Sequence, residues 1–122
     1  MKICVNGSRD FTGFLRLCDE LDSLIPQEQR SSVTLLSGGA RGADILAEKW
    51  AKDRQVHVKR FEADWKGKGR AAGPIRNQEM INEADRLISF WDGKSRGTKD
   101  TIDRASAKGI PVTIIAIEEK KR

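Results

Sequence analysis

The stretch Val33-Thr34-Leu35-Leu36-Ser37-Gly38-Gly39-Ala40-Arg41-Gly42-Ala43-Asp44-Ile45-Leu46-Ala47 changes character at its middle. Its first five residues are a short apolar run of strand type. From Ala43 onward, apolar residues recur at helical spacing, through Ala43, Leu46, Ala47, Trp50 and Ala51. Three glycines and an arginine separate the two periods. A strand that passes through a glycine turn into an amphipathic helix is one unit of a parallel α/β sheet.

The same unit repeats in both directions along the chain. Apolar runs at Ile3 to Asn6, Val56 to Phe61, Leu87 to Trp91 and Val112 to Ile117 predict four further strands. One helix carries Phe14, Leu17, Cys18, Leu21 and Ile25, and Pro26 stops it. Another begins near Pro74, whose missing N–H costs nothing in a first helical turn, and carries Ile75, Met80, Ile81 and Ala84. The last runs from about Thr98 to Lys108, with Gly109 and Pro111 as its stop. Four of the five runs are almost continuously apolar, as strands covered on both faces are. Val56 to Phe61 alternates instead, which predicts an edge strand with His57 on its solvent side. The expected fold is a single α/β Rossmann-like domain over residues 1–117, a five-stranded parallel sheet with helices on both faces. Residues 118–122 are expected to form a charged C-terminal tail. Ala63 to Gly73 is expected to be irregular.

Composition agrees with one domain of 122 residues, 38% hydrophobic, with two cysteines and one histidine. Cys4 and Cys18 lie in apolar contexts and are expected to be reduced and buried. One histidine argues against a metal site, and no cofactor is implied. No apolar run approaches the roughly 20 residues that cross a bilayer. Met1 to Val5 leads straight into Gly7 without a signal-peptide core, so a cytoplasmic chain is expected. The 23 Lys plus Arg against 18 Asp plus Glu give a net charge of +5. That excess suits an anionic partner, either a nucleic acid or a phosphorylated small molecule.

The residues that come after each strand narrow the choice. Gly7-Ser8-Arg9 comes after the first, and Gly38 through Asp44 after the second. Asp64-Trp65 and the basic Lys66-Gly67-Lys68-Gly69-Arg70 come after the third, and Asp92 through Thr98 after the fourth. In a parallel sheet all of these meet at the carboxyl edge, where open α/β sheets bind ligands. Gly38, Gly39 and Gly42 precede one helix and Gly97-Thr98 another, which gives two candidate phosphate cradles. Neither is a Walker A loop or a G-x-G-x-x-G fingerprint. Arg9, Arg41, Arg76 and Arg96 lie near them. The basic stretch from Lys66 to Arg76 reads either as a solvated loop or as a lid over an anion. Trp65 or Trp91 is available to stack on a ring, with core packing as the other fate of either; Trp50 belongs to the core.

The series Gly7-Ser8-Arg9, Ser37-Gly38-Gly39-Ala40-Arg41-Gly42-Ala43-Asp44, Asp64-Trp65, Gly73-Pro74-Ile75-Arg76-Asn77-Gln78-Glu79-Met80, Ala84-Asp85 and Gly97-Thr98 resembles the SLOG superfamily, in its YspA-type branch. Relatives include the LOG phosphoribohydrolases, the DNA-processing protein DprA and sensor domains for NAD-derived signals. The resemblance implies a Rossmann-like sheet, a nucleotide-type ligand and a homo-oligomer. The LOG pattern places Arg four residues before Met, which Arg76 and Met80 match. It also places a catalytic Glu where this chain has Thr101, and the Pro-Gly-Gly before Gly97-Thr98 is absent. Glycosidic cleavage needs a carboxylate, so the loss favours binding over hydrolysis.

The leading expectation is therefore a sensor or sequestering domain for a nucleotide or an ADP-ribose/NAD-derived ligand. Its expected contacts are Gly7, Ser8, Arg9, Ser37, Gly38, Gly39, Arg41, Gly42, Asp44, Asp64, Trp65, Arg76, Asn77, Trp91, Gly97 and Thr98. The alternative is a nucleotide N-glycosidase working with Arg76 and a carboxylate, Asp44, Asp64 or Asp92. A third is DprA-like nucleic-acid binding through the basic loop, which a net charge of five with few aromatics makes a poor fit.

Overall fold

The computed structural model describes residues 1–118. Apart from Glu118, the charged tail lies outside the described residues. Five parallel strands form one sheet in the order β3-β2-β1-β4-β5. They are β1 (Lys2–Gly7), β2 (Thr34–Ser37), β3 (His57–Arg60), β4 (Arg86–Trp91) and β5 (Val112–Ala116). Five α-helices connect or flank them: α1 (Phe14–Leu24), α2 (Ala43–Asp53), α3 (Trp65–Lys68), α4 (Ala72–Glu83) and α5 (Arg96–Lys108).

β1 lies at the centre because its residues are apolar to both sides. Ile3 and Val5 join the core beneath α1 and α2, with Leu17, Leu21, Ala47 and Trp50. Cys4 points the other way, into the core with Met80, Ile81, Leu87, Ile102 and Ala105 from the α4 and α5 side. Period-two alternation along one strand thus feeds two cores, and the helices cover both faces as expected. Trp50 is fully buried. Its Nε1 donates to Asp22 Oδ1 at 2.9 Å, which satisfies the one polar atom of a large core side chain. Both cysteines are free and buried. β3 is an edge strand, and all four of its residues, His57 among them, are exposed. Among the described residues no helix is long and apolar enough to cross a membrane.

Two segments differ from the sequence reading. Beyond Pro26 the chain forms a 3₁₀ stretch, Gln27–Ser32, before β2. Residues 63–73, expected to be irregular, contain α3 and a 3₁₀ turn at Gly69–Ala71 that runs into α4. The cause is Asp64, whose carboxylate accepts the Gly67 N–H at 2.9 Å and caps the turn. Gly67 and Gly69 mask the helix signal there. α4 consequently begins two residues before Pro74, which still lies in the first turn where its missing N–H is unneeded.

The strand order reverses direction between β1 and β4. Their register pairs Gly7 with Phe90, so the two chains leave the sheet side by side. The crevice at such a switch point is where this architecture receives ligands.

Candidate functional site

Two clefts open at the carboxyl edge. The larger, about 340 Å³, lies outside β1 and β4, between the starts of α2 and α5 and the side of α4. The smaller, about 320 Å³, lies over Gly38-Gly39 and is bounded by Arg60, Glu62, Ala63 and Trp65. Arg9, Ala40, Arg41 and Arg76 line both.

The glycine turn after β2 is shaped by close approach. Gly42 has φ +82°, and a Cβ there would run into the backbone oxygens of Ser8 and Arg9. Ala43 N–H donates to Ser8 O at 3.3 Å, which ties the turn to the one after β1. Ser37 Oγ donates to Glu48 Oε2 at 2.6 Å and accepts the Gly39 N–H at 3.0 Å. Glu48 also pairs with Arg60, whose side chain lies across Gly39.

Asp44 occupies the first turn of α2 and is 5% exposed. Its Oδ2 accepts the Ala40 N–H at 3.4 Å, and the Gly7 N–H also bonds to it. The chain's own carboxylate therefore closes onto the turn that precedes α2. Burial raises its pKa to about 6, against the opposing pull of the Ala40 N–H, the Arg76 charge and the Gly7 N–H. Beneath it, burial and the Asp44 charge push the Cys4 thiol far up, so that it stays protonated.

α5 offers the more open helix start. Its first intrahelical donor is Lys99 N, to Ser95 O at 3.1 Å, so the N–H groups of Arg96, Gly97 and Thr98 precede the ladder. These three residues line the larger cleft, as does Thr101, whose Oγ1 donates to Gly97 O at 3.2 Å. Asp100, one position away, faces α4 instead.

That neighbour belongs to a chain of bonds ending on Arg76. Arg76 Nη1 donates to Gly38 O at 2.7 Å and Nε to Asn77 Oδ1 at 2.9 Å. Asn77 Nδ2 in turn donates to Asp100 Oδ2 at 3.0 Å, which also receives Arg104 Nε at 2.8 Å. Burial opposes the charge on Asp100, but the bonds from Arg104 and Asn77 outweigh it and hold its pKa below the ordinary value. The guanidinium of Arg76 is thus fixed at two of its nitrogens in the wall between the clefts.

Of the residues expected at the site, Gly7, Arg9, Gly38, Gly39, Arg41, Asp44, Trp65, Arg76, Asn77, Gly97 and Thr98 line one cleft or both. Ser8, Ser37 and Gly42 lie behind the walls and hold the turns. Ser8 Oγ accepts the Asp92 N–H at 3.3 Å and a bond from Ser95 Oγ at 3.0 Å. Asp64 is occupied in capping α3. Asp92 closes its own turn, taking the N–H groups of Lys94 and Ser95, each at 2.8 Å. Burial opposes its charge, yet these bonds prevail and lower its pKa. Trp91 packs toward the α4 and α5 side, with Nε1 on Ser95 O at 3.1 Å. Sequence reasoning does not place Asn6, Asp10, Ala40, Arg60, Glu62 or Met80 in the site. Arg60 has a usable signal, since it ends β3 and pairs in register with Ser37 at the same edge.

Comparison with known proteins agrees with this fold. The family model described as YspA, cpYpsA-related SLOG family matches residues 1–67. The Gene 61 protein of Mycobacterium phage D29 is 37% identical over 117 residues, covering 91% of this chain and 93% of that protein. Among solved structures, DNA processing protein A (DprA) from Streptococcus pneumoniae superposes with a TM-score of 0.76 at 18% identity. The match covers 96% of this chain but only 50% of DprA, so this chain spans half of that protein. TM1055 gives a TM-score of 0.67 at 19% identity, covering 91% of this chain and 71% of that one. At such identities the two structures share the fold.

Proposed function

The chain belongs to the YspA, cpYpsA-related SLOG family, and from that premise we propose that its carboxyl-edge cleft binds a phosphorylated nucleoside-type small molecule. The ligand class is a nucleotide or an ADP-ribose/NAD-derived compound, held by a homo-oligomeric cytoplasmic protein that senses or sequesters it. The observation that carries the reading is Arg76. A half-buried guanidinium fixed by Gly38 O and Asn77 is preorganised to meet an anion. Arg9, Arg41 and Arg96 add positive charge around the same space. The N–H groups at the start of α5 supply donors where phosphate oxygens would lie. Asp64 and Asp92 are committed to backbone N–H groups, and Thr101 stands in the cleft at the position of the LOG-type Glu. These features support binding over hydrolysis.

One observation favours hydrolysis as a second reading. Asp44 is a buried carboxylate in the larger cleft with a pKa of about 6, the kind of group that serves as a general acid or base. The two readings separate in one experiment. AMP, ADP, ADP-ribose and NAD are each added to the protein, the melting temperature is recorded, and the mixtures are chromatographed for free base. A shift of the transition with every ligand recovered intact is the expected result. Free base, released by the wild type and not by Asp44→Asn, would make the protein a hydrolase. No shift with any compound at millimolar concentration would refute the nucleotide reading. Tight single-stranded DNA binding at physiological salt, lost when Lys66, Lys68 and Arg70 are neutralised, would replace it with a nucleic-acid site.

A further inference from the structure

We infer, resting on the nucleotide reading above, that the ligand has two ring-bearing ends joined through phosphates, and that the cleft over Gly38-Gly39 is a second subsite in which Trp65 stacks on the far ring. Each cleft, at about 320 and 340 Å³, is at the small end of the ~300–1,000 Å³ range of small-molecule pockets. Either alone suits about one nucleoside unit. The two are adjacent and share Arg9, Arg41 and Arg76 in their linings, Arg41 being ion-paired with Asp10 at 3.5 Å. Positive charge is therefore concentrated at the junction, where a linking pyrophosphate would pass, with one end of the ligand in each cleft.

The far end needs an apolar face, and one is present. The chain has three tryptophans. Trp50 is fully buried, and Trp91 is half-buried with its Nε1 occupied by Ser95 O. Trp65 is 52% exposed and lines the smaller cleft. Its indole is seated on Gly73 at the start of α4, where a Cβ would come within 3.2 Å of Cη2. An exposed, seated aromatic ring beside an arginine cluster is a stacking platform for a base or nicotinamide ring. Glu62 and the Arg60–Glu48 pair at the rim offer acceptors and donors to a sugar.

The probes are AMP, with one ring, and NAD, with two rings across a pyrophosphate, each titrated by calorimetry against the wild type, Trp65→Ala and Trp65→Phe. NAD is expected to bind the wild type at least tenfold more tightly than AMP. Trp65→Ala should weaken NAD by roughly 5- to 150-fold, the equivalent of the ~1–3 kcal/mol of a base–aromatic stack, and so collapse the NAD-to-AMP ratio. Trp65→Phe should retain most of that ratio. AMP binding as tight as NAD binding, or a ratio unmoved by Trp65→Ala, would overturn the second subsite and leave the nucleotide site standing. Failure of both probes would overturn the two readings together.

Discussion

Replacing Asp44 by Asn should change how stability depends on pH, in a direction that the structure sets. Burial raises the native pKa of Asp44 from 3.8 to about 6, while the unfolded chain keeps the ordinary value. Between about pH 4 and pH 6, the native protein holds a proton on Asp44 that the unfolded chain has released. Unfolding in this window therefore releases a proton, so this group's contribution to stability falls as pH rises through it. Below the unfolded pKa it costs nothing; above about pH 6 the full cost stands. Two pKa units correspond to ~3 kcal/mol, and because Asp44 is 5% exposed, solvent screening removes little of it. The carboxylates held at low pKa, Asp22, Glu83, Asp92 and Asp100, give the opposite slope, but they are present in both proteins and cancel in the difference. Asn also loses an acceptor toward the Ala40 and Gly7 N–H groups, a penalty independent of pH. The diagnostic quantity is therefore the change in the stability difference, not its sign at one pH. Urea unfolding at pH 4, 5, 6, 7 and 8 should show Asp44→Asn gaining about 3 kcal/mol relative to wild type between the two ends, or roughly 10 °C in melting temperature. A difference that stays flat across the series would show that Asp44 titrates as an ordinary exposed acid and would remove the case for its burial. A bound phosphate nearby would raise this pKa further, so AMP binding near pH 6 should take up protons. Calorimetry in buffers of different ionisation enthalpy reads that uptake directly.

Arg76→Ala should weaken AMP and NAD binding by roughly 10- to 150-fold, the worth of one charge-assisted hydrogen bond. It should also lower stability by ~1–3 kcal/mol, because Gly38 O and Asn77 Oδ1 lose their donor; calorimetry and urea unfolding separate the two effects, and unchanged affinity would take Arg76 out of the site. Gly42→Ala should cost ~2 kcal/mol or more, from its positive φ and the carbonyl oxygens of Ser8 and Arg9 that a Cβ would meet. Gly97→Ala meets nothing within 4 Å and lies in the first turn of α5, so its stability should hold or rise by up to ~1 kcal/mol. A fall in AMP affinity at Gly97 without a fall in stability would mark close approach of the ligand's phosphate to that backbone.

How far the fold and the site are legible in the sequence depends on which interactions have a period. β1 announces itself because Ile3, Cys4 and Val5 are apolar in succession, as a strand covered on both faces is. β3 alternates in sequence, yet at the sheet edge all four of its residues are exposed, Val58 as well as His57. Once the strands are placed, parallel connection forces Gly7, Gly38-Gly39 and Gly97-Thr98 to one edge, with Arg76 at the start of the next helix. Side chains that close on nearby backbone leave no periodic trace. Asp64, Asp92 and Asp44 look alike in a sequence, an acid beside a turn after a strand, and each is a candidate carboxylate there. Their fates differ through single hydrogen bonds: Asp64 takes Gly67 N–H, Asp92 takes those of Lys94 and Ser95, and Asp44 takes Ala40 N–H together with one from Gly7, on a different strand. Of the three, only Asp44 is buried within the cleft wall. The bonds from Arg104 through Asp100 and Asn77 to Arg76 likewise join α5 to α4 over 23 residues or more. In sequence, Asp100 is simply the acid one position before Thr101. That same offset from Thr101 turns its carboxylate toward α4, where it holds Asn77 and, through it, the Arg76 guanidinium.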